Sequence, residues 1–509
     1  MIISLSVLVI TIIVSGTYAL YKAQLSKNIG VNTTTHGLAY YINYVKGTDI
    51  TAATLNPSTS YESGASSDIE FWKKDDSYDI YGKIDLTVNT IGTNLKNSPA
   101  LKYAVVNNGN VLSTGSLKGT TSGSKVTILK NLYLEQTKQI YTVYVWLDNS
   151  EELGNISNES LSISVDCTAS LQKEPAADTI ISLYTSAAKV TATNNSITYN
   201  TAPSVSLMND RLGGTTTDLD GGNIRYYGAN PNNYIYFNCS DYSNQTSSTC
   251  ETWRIIGVFD GKLKLIKGSQ IGTYSWDNKN ISTGAEDDRG KNDWTTARLM
   301  KLLNPDDYYI NDNNDKDSEG NYLGYSLYYN SASGMCFTDE GVNYSACDFT
   351  STGIKNDETR NMIAETTYNL GGWNDTGVYP NEIYEYERGT TVYTGRPTTW
   401  TGKIALAYPS DYGYAADLNQ CKQTLANYDN STCTSNNWMK AIITDNGSNH
   451  GWLLTPDSSY SYVAWYSQGN VGEYFTGAAR GAVPVLSLSS KLGIESGDGS
   501  SSNPYKLSA

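Results

Sequence analysis

Alternating apolar and polar positions dominate the first third of the chain. Segments 84–91 and 140–147 alternate residue by residue, as expected for strands with one buried face. Between two further strand-like runs, Asn108 and Gly109 form the pair that most strongly favours a two-residue hairpin. No helical period interrupts this pattern, so we predict an all-β sandwich over residues 28–168.

The pattern changes twice further along the chain. Residues 169–205 are rich in Ala, Ser, Thr and Asn, and we interpret them as a linker that contains a weakly amphipathic stretch at 178–190. Residues 206–509 then mix helical and strand periods, which indicates an α+β domain. Asp260 and Gly261 lie between two apolar runs there and predict a second tight hairpin.

Two helices are predicted within the α+β domain. Asp293 is a suitable N-cap for the segment 294–304, whose Leu and Met residues lie on one helical face. A second helix is predicted to begin near Asp357 and to end at Gly371. Strand-like runs follow at 402–408, 451–456, 462–467 and 481–488.

The N-terminal segment is apolar and uncharged. Residues 2–20 are long enough, at ~1.5 Å per residue, to cross a hydrocarbon layer of ~30 Å. The segment is either a signal peptide cleaved after Thr17-Tyr18-Ala19, which we favour, or a retained membrane anchor. We therefore assign residues 1–27 to export or anchoring.

Composition and charge narrow the class of protein. Hydrophobic residues make up 39% and charged residues 17% of the chain, with 41 Tyr against 6 Phe. This mixture excludes a polytopic membrane protein and a disordered chain. The formal charge of −15 disfavours nucleic acid as a partner, because most of the surface repels phosphate.

Six of the seven cysteines fall into close pairs, each 11 or 12 residues apart. We predict that each pair forms a disulfide, which indicates an oxidising, extracellular compartment. The remaining Cys167 is either buried and inert or available for an intermolecular bridge. The predicted pairs are Cys239 with Cys250, Cys336 with Cys347, and Cys421 with Cys433.

The N-terminal part contains SGTYALYKAQLSKN (15–28) and, within a long β region, YTVYVWLDNS (141–150). With these segments it resembles the TasA/camelysin group of exported Gram-positive matrix proteins. The resemblance implies a jelly-roll-like sandwich and possible self-assembly into an extracellular fibre or biofilm matrix.

The larger C-terminal part contains segments 223–238, 253–259, 292–304, 402–415 and 497–507, and the late motifs WLLTP (452–456) and GAVPVL (481–486). Together these segments resemble surface proteins of gut Firmicutes with a C-type-lectin-like module, a fold related to formylglycine-generating enzymes. Val483 stands where the family motif has Arg, and Arg480 lies three residues earlier. The resemblance implies an α+β C-type-lectin-like fold.

Chemical motifs are few, and we expect no catalytic residues, metal or cofactor. The tripeptide Trp373-Asn374-Asp375 matches a calcium motif of C-type lectins, but its partner tripeptide is missing. The acidic run 311–320 is interpreted as a solvated loop. His450 lies in no nucleophile motif and is interpreted as a turn residue. The paired carboxylates of a glycosidase need no proximity in sequence, so the lack of a motif does not exclude that activity.

A late window, 457–475, is rich in Tyr, Trp, Asn, Ser and Gly, the residue types that dominate antibody paratopes. We predict a ligand surface there, with the tyrosines turned outward by alternation around Val463 and Trp465. The alternative is that these aromatic residues pack in the core. The predicted ligand-binding residues are Tyr460, Tyr462, Trp465, Tyr466 and Tyr474.

These observations favour a non-enzymatic, adhesin-like protein of the bacterial cell surface. It would display a module that binds an extracellular protein or glycan on a β-sandwich stalk. A structural fibre subunit is the first alternative. The second is a target of a diversity-generating retroelement, because variable proteins of that kind resemble this fold.

Overall fold

The structure is a computed structural model that describes residues 38–52, 55–154, 156, 159–212, 222–337, 344–447 and 449–508. The predicted export or anchor segment, 1–27, lies outside the described residues, as does His36. Across these described ranges, no helix has both the length and the apolar character needed to cross a bilayer.

The described chain is mostly strand, arranged in several antiparallel sheets, as predicted from the alternating pattern. The first strands are β1 (Ile42–Val45), β2 (Ile50–Ala52), β3 (Pro57–Ser58), β4 (Ala65–Lys73), β5 (Tyr81–Ile91), β6 (Leu101–Asn107), β7 (Asn110–Ser116), β8 (Lys125–Tyr133), β9 (Ile140–Asp148) and β10 (Leu161–Ser170). The next are β11 (Val190–Asn194), β12 (Ile197–Ala202), β13 (Leu207–Asn209), β14 (Ile224–Tyr226), β15 (Tyr234–Phe237), β16 (Glu251–Phe259), β17 (Lys262–Lys267), β18 (Thr273–Ser275), β19 (Ser333–Phe337) and β20 (Tyr344–Asp348). The last are β21 (Thr366–Asn369), β22 (Thr399–Gly402), β23 (Ile404–Ala405), β24 (Gly451–Pro456), β25 (Val463–Ser467), β26 (Val471–Phe475), β27 (Ala479–Gly481), β28 (Val485–Ser487), β29 (Gly493–Ser496) and β30 (Lys506–Ser508).

The α-helices are short. They are α1 (Ala176–Ser186), α2 (Arg298–Leu303), α3 (Asp357–Met362), α4 (Pro380–Glu387), α5 (Pro409–Tyr414), α6 (Ser431–Ser435) and α7 (Lys440–Ile443). The chain divides into two compact units. Among the described residues, the first comprises Leu38–Pro175, Gly493–Asp498 and Tyr505–Ser508, and the second comprises Ala176–Leu492 and Gly499–Pro504.

The first unit has a β-sandwich-like arrangement of two sheets. One sheet has the order β1-β4-β9-β6-β7, with β3 added beside β9, and the other has the order β2-β10-β5-β8. Side chains from both sheets, such as Phe71 and Leu86, join a single apolar core. Asn108 and Gly109 have φ angles of 50° and 79°, which confirms the predicted hairpin between β6 and β7.

The last strands of the chain belong to the first unit. β29 and β30 pair with each other, and Asn131, at the left-handed φ of 53°, holds both. Its amide donates to the carbonyl of Ile494 at 3.0 Å, and its carbonyl accepts from the Ser508 hydroxyl at 3.2 Å. A fragment that ends at residue 168 therefore lacks two strands of this unit.

The second unit contains a large and a small sheet. The large sheet has the order β11-β12-β13-β14-β16-β17-β28-β23, and β15 also pairs with β16. The small sheet has the order β18-β27-β24-β25-β26. Asp260 and Gly261 adopt φ angles of 48° and 69° between β16 and β17, which confirms the second predicted hairpin.

The interval 169–205, interpreted from sequence as a linker, contains α1, β11 and β12. Residues 190–202 form a hairpin at the edge of the large sheet. Its turn is Asn195-Ser196, with φ angles of 45° and 63°. Ser rarely adopts a positive φ, and this turn lacks the Gly that usually marks such hairpins. The hairpin is therefore hard to predict from the sequence.

Both predicted helices are shorter than expected. Asp293 accepts from the Thr295 backbone N–H at 3.1 Å, but it caps a single 3-10 turn that precedes α2. The second helix ends at Met362, and the prediction that it continues to Gly371 is wrong. Residues 366–369 instead form β21, where β-branched Thr366 and Thr367 suit the antiparallel pairing with β22.

The three predicted disulfides are confirmed. Each closes a short loop of the second unit, and disulfides of this kind are typical of extracellular proteins. The bridge within the β19–β20 hairpin joins two paired strands directly. The bonded pairs are Cys239 with Cys250, Cys336 with Cys347, and Cys421 with Cys433.

The remaining cysteine, Cys167, is a free thiol in the core of the first unit. Burial raises its pKa, and the nearby Asp85 and Asp166 raise it further. A buried, protonated thiol is unreactive. Of the two interpretations drawn from the sequence, the structure therefore favours the inert side chain.

A buried ion cluster connects three elements of the second unit. Asp411 in α5 accepts from Arg225 of β14 at 2.9 Å and from Lys264 of β17. It also accepts from the Tyr408 backbone N–H at 3.1 Å, and Arg225 donates to Asp210 at 2.6 Å. Burial opposes ionisation of Asp411, but Lys264 and Arg225 outweigh burial and lower its pKa.

We predict that D411N strongly destabilises the second unit. The neutral amide leaves two buried cations without full compensation, and breaking such a cluster costs about 3–5 kcal/mol of unfolding free energy. The matched control is D357N, because Asp357 pairs with Arg360 at a side chain that is 92% exposed. D357N should lower the unfolding free energy by less than about 1 kcal/mol. Equal losses in urea unfolding would contradict the role of the cluster.

Candidate functional site

The small sheet of the second unit places aromatic residues on both of its faces. Within β25 the residues alternate, and cross-strand pairing sets Trp465 opposite Glu473 and Tyr466 opposite Gly472. Trp465 is fully buried, and its indole N–H donates to the carbonyl of Trp373 at 3.2 Å. Its face is therefore the inner one, and Tyr466 lies on the outer face.

Four of the five predicted ligand residues reach the surface. Tyr460 is 53% exposed and Tyr474 is 39% exposed, and Tyr462 and Tyr466 are partly exposed. Trp465, which the sequence placed in the ligand set, packs instead in the apolar core with Leu453 and Val485. Trp465 packs under the inner face of the small sheet and has no exposed surface for a ligand.

Asn292 fixes the turn that carries Tyr460 and Tyr462. Its amide donates to the carbonyls of Asp457 at 2.9 Å, Tyr460 at 2.8 Å and Val463 at 3.0 Å. Arg396 in turn donates to the Asn292 side-chain oxygen at 3.0 Å. The turn is therefore held by side chains from distant parts of the chain.

Arg289 covers the Tyr462 ring. Its guanidinium carbon lies 3.7 Å from the ring centroid, and Asp287 accepts from the same side chain at 2.9 Å. The Tyr460 ring lies 5.8 Å from the Tyr462 ring at 45°. Tyr460 therefore has the most open ring of the four.

A second arginine lies across the outer face. The Arg480 guanidinium carbon is 4.0 Å from the Tyr466 ring, 4.3 Å from the Tyr474 ring and 5.6 Å from the Trp452 ring. His450 packs beside Tyr466, with ring centroids 5.5 Å apart, and contacts Arg480 through Nδ1. We call these five residues the arginine–tyrosine cluster.

The protonation of this cluster follows from its geometry. Burial and the neighbouring Arg480 lower the pKa of His450, so the neutral imidazole accepts a hydrogen bond at Nδ1. Burial also lowers the pKa of Arg480. Gly472 makes room for the cluster, since a Cβ there would lie 3.0 Å from the Tyr466 ring.

The sequence did not predict three members of this site. Arg480 was noted only for its place near a family motif, His450 was interpreted as a turn residue, and Arg289 was not considered. Arg289 is far from the tyrosine window in sequence, whereas His450 and Arg480 lie just outside its two ends. The pairing of β18, β27 and β24 brings Arg480 and His450 beside the window. Such pairing cannot be predicted from a local sequence pattern.

A pair of carboxyl groups lies on the inner face. Asp457 Oδ2 and Glu473 Oε1 are buried without a donor among the described groups, and the two carboxyls are within hydrogen-bonding reach of each other. A single shared proton satisfies both oxygens. Burial, then the negative charge of Asp457, raises the pKa of Glu473 to about 7, and burial raises that of Asp457.

The candidate calcium motifs have other roles in the structure. Asn374 donates to the Ser459 hydroxyl at 2.8 Å, and Asp375 accepts from the Gly377 backbone N–H at 2.8 Å. In the acidic run 311–320, Asp315 is buried between Arg298 and Lys301, each at 2.7 Å. Over the described ranges, no three His, Cys, Asp or Glu side chains are grouped so that they could hold a metal ion.

The sequence matches no model of a known protein family, and a search of curated proteins returns no relative. The candidate site therefore rests on its own geometry.

We predict that E473Q raises stability at pH 8 and much less at pH 5. The folded pKa of Glu473, about 7, lies above the ordinary value of 4.5, so the carboxyl stabilises the fold below pH 4.5 and this contribution is lost as pH rises through 7. Glutamine does not ionise and can donate to Asp457. Urea unfolding at pH 5, 6, 7 and 8 measures the effect.

The control is E385Q, on the exposed side of α4. It should leave the pH dependence of the unfolding free energy as in the wild type. A wild-type pH slope in E473Q would show that the two carboxyls do not share a proton.

Proposed function

We propose that this chain is a non-enzymatic, adhesin-like protein of the bacterial cell surface whose second unit binds an extracellular ligand. The observation that carries the proposal is the exposure of Tyr460 and Tyr474 beside one face of a well-packed sheet. Large aromatic side chains on a rigid support bind at low entropic cost. Their polar hydroxyls suit either a glycan or a protein ligand.

The extracellular setting is supported by the three disulfides and by the apolar segment 2–20. The jelly-roll-like fold of the first unit and the C-type-lectin-like fold of the second remain proposals that rest on sequence resemblance. In this proposal the first unit serves as the stalk.

The absence of enzymatic activity is also part of the proposal. Glycosidases hold two carboxyls about 5–9.5 Å apart across a substrate. Asp457 and Glu473 instead lie within hydrogen-bonding reach of each other on the inner face of the small sheet, beside the buried Trp465. This separation is shorter than either glycosidase geometry.

A fibre subunit is the alternative that the first unit favours. β1 forms one edge of its sheet, and Val45 at its end is 48% exposed. An open edge strand can accept a strand from a neighbouring molecule. Negative-stain electron microscopy of the whole exported chain distinguishes the roles, since filaments favour the fibre and stable monomers favour the displayed binder.

A diversified window at 457–475 is the second alternative. Adenine-rich AAC-type codons confined to this window, with a near-identical template repeat and a reverse transcriptase gene nearby, would support it. Their absence from the coding DNA would exclude it.

We predict that Y460A or Y474A weakens ligand binding by about thirtyfold, which corresponds to ~2 kcal/mol for one aromatic hot spot. Glycan and extracellular-protein arrays identify a ligand, and titration calorimetry measures the affinity. The matched control is Y344A, because Tyr344 is 41% exposed on β20. Unchanged affinity in both variants, with an unchanged melting temperature, would place the binding surface elsewhere.

A further inference from the structure

Arg480 differs from the other buried or half-buried arginines of the second unit in its partners. Arg225 pairs with two buried carboxylates, and Arg298 pairs with Asp315 at 2.7 Å. Arg254 pairs with no carboxylate of the described residues, but it donates to the Asn233 side chain and to the carbonyl of Pro231 at 3.3 Å. Each of these cations meets oxygen acceptors within its own unit.

Arg480 meets no oxygen acceptor among the described residues. Its single hydrogen bond goes to His450 Nδ1, and its Nε–H is buried without an acceptor. The aromatic rings of Tyr466 and Tyr474 lie against the guanidinium and keep water from part of it. A half-desolvated cation in this setting interacts more strongly with an incoming anion than a fully solvated one does.

We propose that Arg480 is the anchor of an anion subsite that takes the carboxylate or sulfate of an acidic sugar. The Arg480 Nε–H is buried and its Nη1 bonds to His450, so Nη2 is the guanidinium nitrogen left to donate to an oxygen of the anion. His450 is a positioning residue, because it occupies Nη1 and orients the guanidinium plane. This inference rests on the proposed binding function and names its ligand class.

The charge of the protein favours a ligand with a single anionic group. A formal charge of −15 disfavours a polyanion such as nucleic acid. A sugar with one acidic substituent places that substituent on Arg480 and its uncharged hydroxyls elsewhere. The subsite therefore discriminates by one charge.

The outer face also favours a sugar over a protein surface. Along β25 and β26 its residues with exposed surface are Tyr466, Gly472 and Tyr474, whereas Ala464 is buried. This surface carries hydroxyl groups and no large aliphatic side chain. The Tyr466 and Tyr474 hydroxyls bond to none of the described groups and are free to pair with sugar hydroxyls. A protein hot spot usually fills an apolar pocket instead.

A structural role for Arg480 makes a different prediction. If the side chain only shields Trp452, its loss lowers stability and leaves ligand selectivity unchanged. If it anchors an anion, its loss removes the preference for acidic over neutral sugars, whatever happens to stability. Selectivity is therefore the decisive measurement.

The test compares matched sugars on the whole exported chain. Glycans that end in glucuronic acid are compared with those that end in glucose, and galactose 6-sulfate with galactose. For wild type we expect the acidic member of at least one pair to bind about tenfold more tightly or better, as one charged hydrogen-bonded contact provides. The two pairs distinguish a carboxylate from a sulfate.

Three variants assign the preference to Arg480. R480Q should bring the ratio of acidic to neutral affinity to about one, and R480K, which keeps the charge but loses the planar guanidinium that His450 orients, should give an intermediate ratio. K316Q is the control, because Lys316 also lies over a tyrosine, with Nζ 4.5 Å from the Tyr322 ring centroid, outside the small sheet. It should keep the wild-type ratio. If R480Q lowers the melting temperature, the test rests on R480K. A purely structural role of Arg480 predicts that R480K keeps the wild-type ratio of acidic to neutral affinity, whereas an anchoring role predicts a lower ratio.

The outcomes separate this inference from the proposed function. If Y460A weakens the binding of acidic and neutral sugars equally, the proposed binding function is supported. If R480Q then keeps the wild-type ratio of acidic to neutral affinity, the anion subsite is overturned. Binding to an acidic peptide but to none of the four sugars overturns the sugar class. Binding to no probe overturns the inference, and array binding to another ligand that depends on Tyr460 would still support the function.

Discussion

The Asp411 carboxylate is the interaction on which the second unit depends. It is fully buried, and it joins Arg225 of β14, Lys264 of β17 and the backbone at the start of α5. β14 and β17 flank β16 in the large sheet, so one carboxylate fixes α5 across three strands. Removing a single partner leaves an uncompensated charge, and this makes the arrangement specific as well as costly to change.

The small sheet shows how the same aromatic composition serves a core and a surface. In β25, a shift of one residue exchanges the buried Trp465 for the exposed side of Tyr466. The buried indole reaches the carbonyl of Trp373, which ties the strand to the rest of the unit. Because register fixes both faces at once, the outer tyrosines are held as firmly as the core is packed.

Local patterns predicted the elements well where the signal is local, and failed where it depends on distant pairing. The Asn108-Gly109 and Asp260-Gly261 hairpins and the three disulfides follow from residues close in sequence. The helix after Asp357 stops early, because the next residues pair with β22 instead. Alternation places Trp465 on the face opposite the tyrosines, and its contacts show that this face packs in the core. Arg480 approaches the tyrosines across a sheet, and no spacing in the sequence records that approach.

The cations of the second unit differ in how their charge is balanced, and this difference gives the candidate site its meaning. Arg225, Arg298 and Lys264 lie against carboxylates that are themselves buried, so their charges are neutralised by the fold. Arg480 lies against π-systems and a neutral imidazole, which shield a cation without neutralising it. The chain has more acidic residues than basic ones, 51 against 36, so carboxylates that could pair with Arg480 are abundant in the sequence. No carboxylate of the described residues neutralises this cation on the outer face of the small sheet, and this is the physical reason to look for its counter-ion in a ligand.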